Sequence, residues 1–172
     1  MGSIALSVER NVALLRQGRS LVLDLPDDAY REMRPGSTAE SVGGHMRHVL
    51  DFYACFVHGL PAGRIDYDAR LRDGRVEQDR RHAAAVVDER CVELSRVAAI
   101  AASQSLVVRC DADPGESDDG FATSTAGREL QILLSHTVHH YALMASLLRQ
   151  WQIDVPPDFG VAPATLAHWR NL

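Results

Sequence analysis

The sequence lacks several features that would assign it to a large class of proteins. It has no run of about eighteen apolar residues, which is the length that a membrane-spanning helix needs. Its N-terminus has no basic leader followed by an apolar core, so we do not expect a secretory signal peptide. Acidic side chains outnumber basic ones, 23 to 18, and the net charge is -5. Because nucleic acids and anionic membranes bind a concentrated basic face, we expect neither as a partner.

Cysteine is also scarce. Cys55, Cys91 and Cys110 lie far apart and form no CxxC pair. This spacing argues against a disulfide framework and favours a reducing, cytoplasmic environment in which the thiols are mostly buried. No glycine-rich loop of the phosphate-binding type follows a predicted strand, and no Ser-His-Asp or Cys-His arrangement is recognisable. The cysteines are therefore expected to pack as apolar side chains rather than act as nucleophiles.

The sequence does contain long amphipathic segments. With 172 residues and 46% hydrophobic residues, it has the size and composition of one globular domain, which we predict to span residues 1–172. Helical periodicity predicts four long helices. Their approximate bounds are 4–23, 37–60, 76 or 81–102, and 125 or 126–151, with Thr125 as the expected N-cap of the fourth. A capping box, with Ser37 as the N-cap and Glu40 three residues later, predicts the start of the second helix.

The segments between and after these helices complete the predicted fold. A β-prone run at 106–108, a turn, and the stretch FATST at 121–125 predict a small hairpin or extended excursion before the fourth helix. The proline-containing tail is expected to wrap around the helices and to end in a short helix from about Ala164. We therefore predict an all-α fold, a four-helix bundle with a long crossover between the second and third helices.

The stretch SHTVHHYALM, residues 135–144, contains three of the eight histidines of the chain. At about 100° per residue, His140 lies near the middle of the apolar stripe of the fourth helix, His136 lies at its edge, and His139 points away. The four-residue spacing places His136 one turn from His140 on the same face. An unpaired buried polar group costs about 1–3 kcal/mol. A divalent metal bound by neutral imidazoles would remove that cost.

An HxxxH pair alone leaves other interpretations open. The histidines could be surface residues or hydrogen-bonded core residues. A zinc-protease helix has Glu after the first histidine, whereas Thr137 follows His136 here, so that interpretation fails. The second helix offers His45 and His48 as a third ligand. Periodicity places His45 nearer the apolar stripe and His48 further round, so the residues alone do not decide between them.

The stretch HVLDFY (48–53) on the second helix, taken with SHTVHHYAL (135–143) on the fourth, resembles the DinB/YfiT-like superfamily of metal-dependent proteins over nearly the whole chain. The resemblance implies a bundle in an up-down-down-up arrangement. It also implies a divalent metal, with His48, His136 and His140 as its ligands. Zinc is the first expectation for that ion, and nickel or iron are the alternatives. Because some members resemble thiol-dependent S-transferases, the resemblance implies a small-molecule substrate, for which we expect a thiol.

Three functional hypotheses follow. The first is a metal-dependent enzyme that catalyses thiol S-transfer, isomerisation or hydrolysis, since three protein ligands leave a position for water or substrate. The second is a non-catalytic metal-binding or stress-related bundle, and the third is a scaffold in which the histidines are structural. An acid/base or substrate-holding role is considered for Asp51, Tyr53, Tyr141 and Arg128, without assigning a catalytic residue. We also expect a homodimer, since two-fold pairing commonly covers an apolar helix face.

Overall fold

The computed structural model describes residues 4–32, 41–110 and 120–171. This part of the chain is mostly helical. Its α-helices are α1 (Ala5–Asp24), α2 (Asp27–Arg31), α3 (Val42–Gly59), α4 (Gly74–Gln78), α5 (Arg80–Arg96), α6 (Ala126–Gln150) and α7 (Pro163–Trp169). Its strands are β1 (Arg64–Asp66), β2 (Ser105–Arg109) and β3 (Ala122–Thr125). The predicted helical fold is therefore confirmed in its main feature, and the chain adds a small sheet of three strands to it.

The long helices begin and end close to their predicted bounds, with two exceptions. Thr125 is the N-cap of α6, and its hydroxyl accepts a hydrogen bond from the backbone N–H of Arg128 at 3.2 Å. The second predicted helix, α3, begins later than expected because Ser41 is its N-cap and accepts from the N–H of Gly44 at 3.0 Å. The predicted capping box at 37–40 lies outside the described residues. Helix α5 ends at Arg96, earlier than predicted.

The small sheet contains one strand that the sequence did not indicate. The predicted hairpin is confirmed, because β2 and β3 pair antiparallel with Leu106 opposite Ser124. Strand β1 adds to the other edge of β2 in parallel, with Ile65 opposite Val108. The segment that follows α3 was predicted as a long crossover, and β1 lies at its start. The sheet ties the crossover to the strand that leads into α6.

The four long helices form the core of the described chain. Helix α1 packs against α5 and α6, and α3 packs against the same two helices. The predicted apolar stripe of α3 is buried, and each of its members is at most 2% exposed: Val42, Met46, Val49, Tyr53, Phe56 and, just beyond the helix, Leu60. In the described ranges we find no helix with both the length and the apolar character that a membrane crossing would require.

The C-terminal tail packs back onto α6, as predicted. The ring of Phe159 stacks on the ring of Tyr141 with centroids 4.6 Å apart, and both residues are buried. Gly160 adopts a φ of 72°, and a Cβ atom there would lie 2.5 Å from the backbone nitrogen of Ala142. Only glycine satisfies both the left-handed backbone and the close approach. The tail therefore lies against α6 before α7 begins.

Candidate metal centre

Helices α3 and α6 bring three histidines together. His48 comes from α3, and His136 and His140 come from α6. Each histidine offers one ring nitrogen to the cluster, and these three nitrogens all lie within 4.8 Å of one another. The Nε2 atoms of His48 and His136 are 3.1 Å apart. The ring centroids of both residues lie 4.5 Å from that of His140, so the three rings form one compact cluster.

The spacing and the protonation of this cluster fit a divalent metal. Metal–nitrogen bonds of about 2.0–2.1 Å at tetrahedral angles separate two ligand nitrogens by about 3.3 Å. That value is close to the 3.1 Å between Nε2 of His48 and Nε2 of His136. Metal ligation also needs neutral imidazole. Burial lowers the pKa of His140 to about 3, and the neighbouring histidines add to the effect, so its ring is neutral at pH 7.

A fourth histidine touches the cluster from α3. His45 is 7% exposed, and its Nδ1 lies 3.0 Å from Nδ1 of His140. Both second-helix candidates therefore face α6, but they meet different partners: His48 contacts both His136 and His140, whereas His45 contacts His140. His139 is exposed, as predicted, and its ring is nearly perpendicular to that of His140, with centroids 5.3 Å apart.

Two stacked aromatic rings, those of Phe52 and Tyr67, lie beside the cluster and were not predicted from the sequence. The ring of Phe52 stacks on His136 with centroids 4.2 Å apart, and Tyr67 stacks on Phe52 at 4.9 Å. The hydroxyl of Tyr67 donates to Oε2 of Glu129 at 2.8 Å, and that carboxylate also accepts from the hydroxyl of Ser124. Phe52 lies outside the apolar stripe of α3, and the sequence signal for it was limited to its position one turn after His48.

The comparison with known families agrees with this architecture. A family model described as the DinB family matches residues 3–164. The chain belongs to the DinB family. Part of this DinB family protein is also 32% identical, over 111 residues, to FK506-binding protein 5 of Rhizopus delemar. The matched region is 62% of this chain and 28% of that protein, so the chain spans little more than a quarter of that relative's length.

The two acid/base candidates on α3 have partners away from the histidines. Asp51 pairs with Arg47 at 3.1 Å, and Arg47 also pairs with Glu77. Burial raises the pKa of Asp51, while the charge of Arg47 opposes that rise. Tyr53 is fully buried and donates to Oδ1 of Asn11 at 2.6 Å. In this DinB family protein Asp51 therefore stabilises the contact between α3 and α4, and Tyr53 belongs to the core.

The two candidates on α6 also lie apart from the cluster. Tyr141 is fully buried between Phe159 and Gly18. Arg128 is exposed at the first turn of α6, two turns before His136. Neither residue has a described contact with the three histidines. The geometry therefore gives a three-histidine cluster with none of the four acid/base candidates beside it.

The cysteines differ in burial, and none lies in the histidine cluster. Cys91 is buried, Cys55 is half-buried and Cys110 is exposed, so the expectation of mostly buried thiols fails for Cys110. Burial raises the pKa of the Cys55 thiol to about 11, which makes it a poor nucleophile at neutral pH. Cys55 lines a cavity of about 530 Å³ between α3, α5 and the crossover, and none of the clustered histidines lines that cavity.

Proposed function

We propose that this DinB family protein holds one divalent metal ion through His48, His136 and His140 and uses it on a small-molecule thiol. The observation that carries the proposal is the convergence of three imidazoles from two helices, with one pair of nitrogens 3.1 Å apart. A distance of that size suits two nitrogens that bind one ion through their lone pairs, and without an ion it allows a hydrogen bond from one ring to the other. Family membership supports the same conclusion.

The ligand set suits an open rather than a closed site. Structural zinc sites usually have four protein ligands, whereas catalytic sites keep a position for water or substrate. Across the described ranges, the cluster has no carboxylate or cysteine as a further member. A bound divalent ion would supply Lewis-acid chemistry and would lower the pKa of a thiol in the open position. The chain itself orients the ligand rings, and Phe52 covers His136 from one side.

Among the three reactions considered, we place thiol S-transfer first. Hydrolysis and isomerisation commonly need a side chain that transfers a proton. Asp51, Tyr53 and Tyr141 are paired or packed elsewhere, and Arg128 is exposed. A metal-activated thiol needs less help from such a group. The same observation also favours the alternative, a metal-binding or stress-related bundle without catalysis.

Metal content tests the ligand assignment. Untagged protein from metal-replete cells should contain about one ion per chain, and we expect zinc before nickel or iron, because imidazole binds all three. His136→Ala and His140→Ala should each lose the ion. The matched control is His139→Ala, since His139 lies on the same helix but is exposed. Retention of the ion in a protein that carries both ligand substitutions would refute the proposal.

Thiol binding separates the enzymatic proposal from simple metal binding. Cobalt-substituted protein should gain a sulfur-to-metal charge-transfer absorption when a small thiol is added. An alcohol of the same shape should give none. If the cobalt protein binds no member of a thiol panel, the non-catalytic alternative is the better proposal.

We also propose a helix order, an oligomeric state and a cellular location for this chain. The four long helices would form a bundle in the up-down-down-up order, supported by the contacts of α1 and α3 with both α5 and α6. A homodimer would cover some of the exposed apolar side chains, such as Val92 and Leu143. Light scattering at micromolar concentration tests the dimer, and a monomeric mass would contradict it. A cytoplasmic location suits three cysteines without a disulfide.

A further inference from the structure

His45 makes the most direct contact with the ligand set from outside it. It lies on α3, three residues before His48, and is nearly fully buried. Its Nδ1 is 3.0 Å from Nδ1 of His140, and the two rings are tilted by 50°. That distance is a hydrogen bond between ring nitrogens. The sequence offered His45 and His48 as alternative third ligands. The contact with His140 indicates a different role for His45, that of a hydrogen-bond partner of a ligand.

The geometry of this contact restricts where the protons are. Two ring nitrogens form a hydrogen bond only when one carries a proton and the other a lone pair. If His140 donates from Nδ1, its Nε2 keeps a lone pair that can bind a metal. If His45 donates instead, Nε2 of His140 carries the proton and cannot bind one. Only the first arrangement allows His140 to act as a ligand through Nε2.

We propose that His45 is a positioning residue for the metal centre: it accepts a hydrogen bond from Nδ1–H of His140 and so fixes the tautomer in which Nε2 of His140 is the ligand atom. The inference rests on the proposed function. All three ligands would then bind through the same ring atom, since His48 and His136 already approach each other through Nε2. Metal-ligating histidines usually donate their second N–H to an acceptor, and loss of that acceptor typically weakens metal binding by about 10–100-fold.

Two substitutions at His45 separate the hydrogen bond from simple packing. His45→Leu fills similar space but removes the acceptor. His45→Asn places an amide oxygen near the position of Nδ1, so it keeps an acceptor for His140. The matched control is His139→Ala, which removes a histidine whose ring also meets His140 but whose side chain is exposed. For each protein, zinc affinity is measured by competition with a chelator, and the number of bound imidazoles is measured by X-ray absorption.

The expected results form one pattern. His45→Leu should bind zinc about 10–100-fold more weakly than the wild type, His45→Asn should recover most of that loss, and His139→Ala should bind normally. Three imidazoles should be bound in every zinc-loaded protein, and nitrogen NMR of the metal-free wild type should already show the Nδ1–H tautomer of His140. This last measurement needs no variant, so it decides the question even if His45→Leu does not fold.

Several results would overturn the inference. Four imidazoles in the wild type and three in His45→Leu would make His45 a ligand. Equal affinities for His45→Leu and wild type, or no recovery in His45→Asn, would exclude a role for the hydrogen bond. If the wild type bound none of zinc, nickel and iron, the proposed function itself would be refuted, and this would be seen before any variant is compared.

Discussion

Replacement of Tyr53 by phenylalanine should destabilise the protein without affecting metal binding. The Tyr53 side chain is fully buried, and its hydroxyl donates to Oδ1 of Asn11 at 2.6 Å. The amide group of Asn11 already donates to the carbonyls of Ser7 at 2.8 Å and Leu130 at 3.1 Å. The amide therefore cannot rotate to compensate when the phenolic proton is removed. Oδ1 of Asn11 becomes a buried acceptor without its donor.

The size of the effect follows from that one acceptor. A buried polar group left unsatisfied costs about 1–3 kcal/mol. The hydroxyl of Thr137, 3.2 Å from that of Tyr53, adds little, because it can donate to the carbonyl of Leu133 at 2.7 Å. For a domain of this size, each 1 kcal/mol corresponds to about 2–4 °C in Tm. Tyr53→Phe should therefore lower the free energy of unfolding by about 1–3 kcal/mol and Tm by roughly 2–12 °C.

Urea unfolding of the metal-free protein measures this cost, and a double-mutant cycle isolates its origin. The cycle compares Tyr53→Phe, Asn11→Ala and the double variant, and residues in direct contact should show a coupling of about 0.5–3 kcal/mol. Zinc affinity is measured on the same proteins and should not change with Tyr53→Phe. Unchanged stability would refute the structural role of the hydroxyl. A tenfold or larger loss of zinc affinity would instead return Tyr53 to the list of site residues.

Three further predictions concern packing, a buried carboxylate and pH. Gly18→Ala should be destabilising by about 1–3 kcal/mol, because its Cβ would lie 1.9 Å from the hydroxyl oxygen of Tyr141. Tyr141→Phe should recover part of that loss in urea unfolding. Glu129→Ala should lower the free energy of unfolding by about 1–3 kcal/mol or more in urea unfolding. The reason is that the hydroxyls of Tyr67 and Ser124, which donate to this buried carboxylate, lose their acceptor. The pKa of His140 is lowered to about 3 in the folded chain, against about 6.5 when unfolded. The unfolded state therefore takes up the proton first, and thermal melts of metal-free protein should show stability falling as pH drops from about 6.5 toward 3. His140→Leu should weaken that dependence, and an equal dependence in both proteins would contradict the assignment.

Local signals in the sequence were enough for most of the helical framework. The spacing of His136 and His140 and the cap at Thr125 depend only on neighbours along one helix, and both appear as predicted in α6. Strand β1, which was not predicted, depends on a distant part of the chain. It is three residues long and becomes a strand through pairing with β2, more than forty residues later in the chain. No periodic pattern of that length can be read from sequence.

The site was harder to predict because side chains on one helix can meet different partners. Periodicity left His45 and His48 as alternatives, but the packing of α3 against α6 brings both to the same neighbour. Asp51 was considered for an acid/base or substrate-holding role at the site. It turns instead to Arg47, one turn earlier on its own helix. Pairwise choices of this kind depend on the roll of the helix and on groups far away in sequence, which spacing does not encode.

The core contains buried polar groups with complementary partners and a cluster of like groups. Asn11 pairs with one hydroxyl and two carbonyls, and Glu129 pairs with two hydroxyls, so both are satisfied. The clustered histidines meet one another, and burial together with these neighbours lowers the pKa of His140. Each neutral imidazole has one N–H and one lone pair, so neighbouring rings can hydrogen-bond in pairs, as His45 and His140 do. A divalent cation can bind several of the lone pairs at once, whereas a proton adds a charge that the other rings do not neutralise. This asymmetry is the physical reason to place the function of the protein at the contact of α3 and α6.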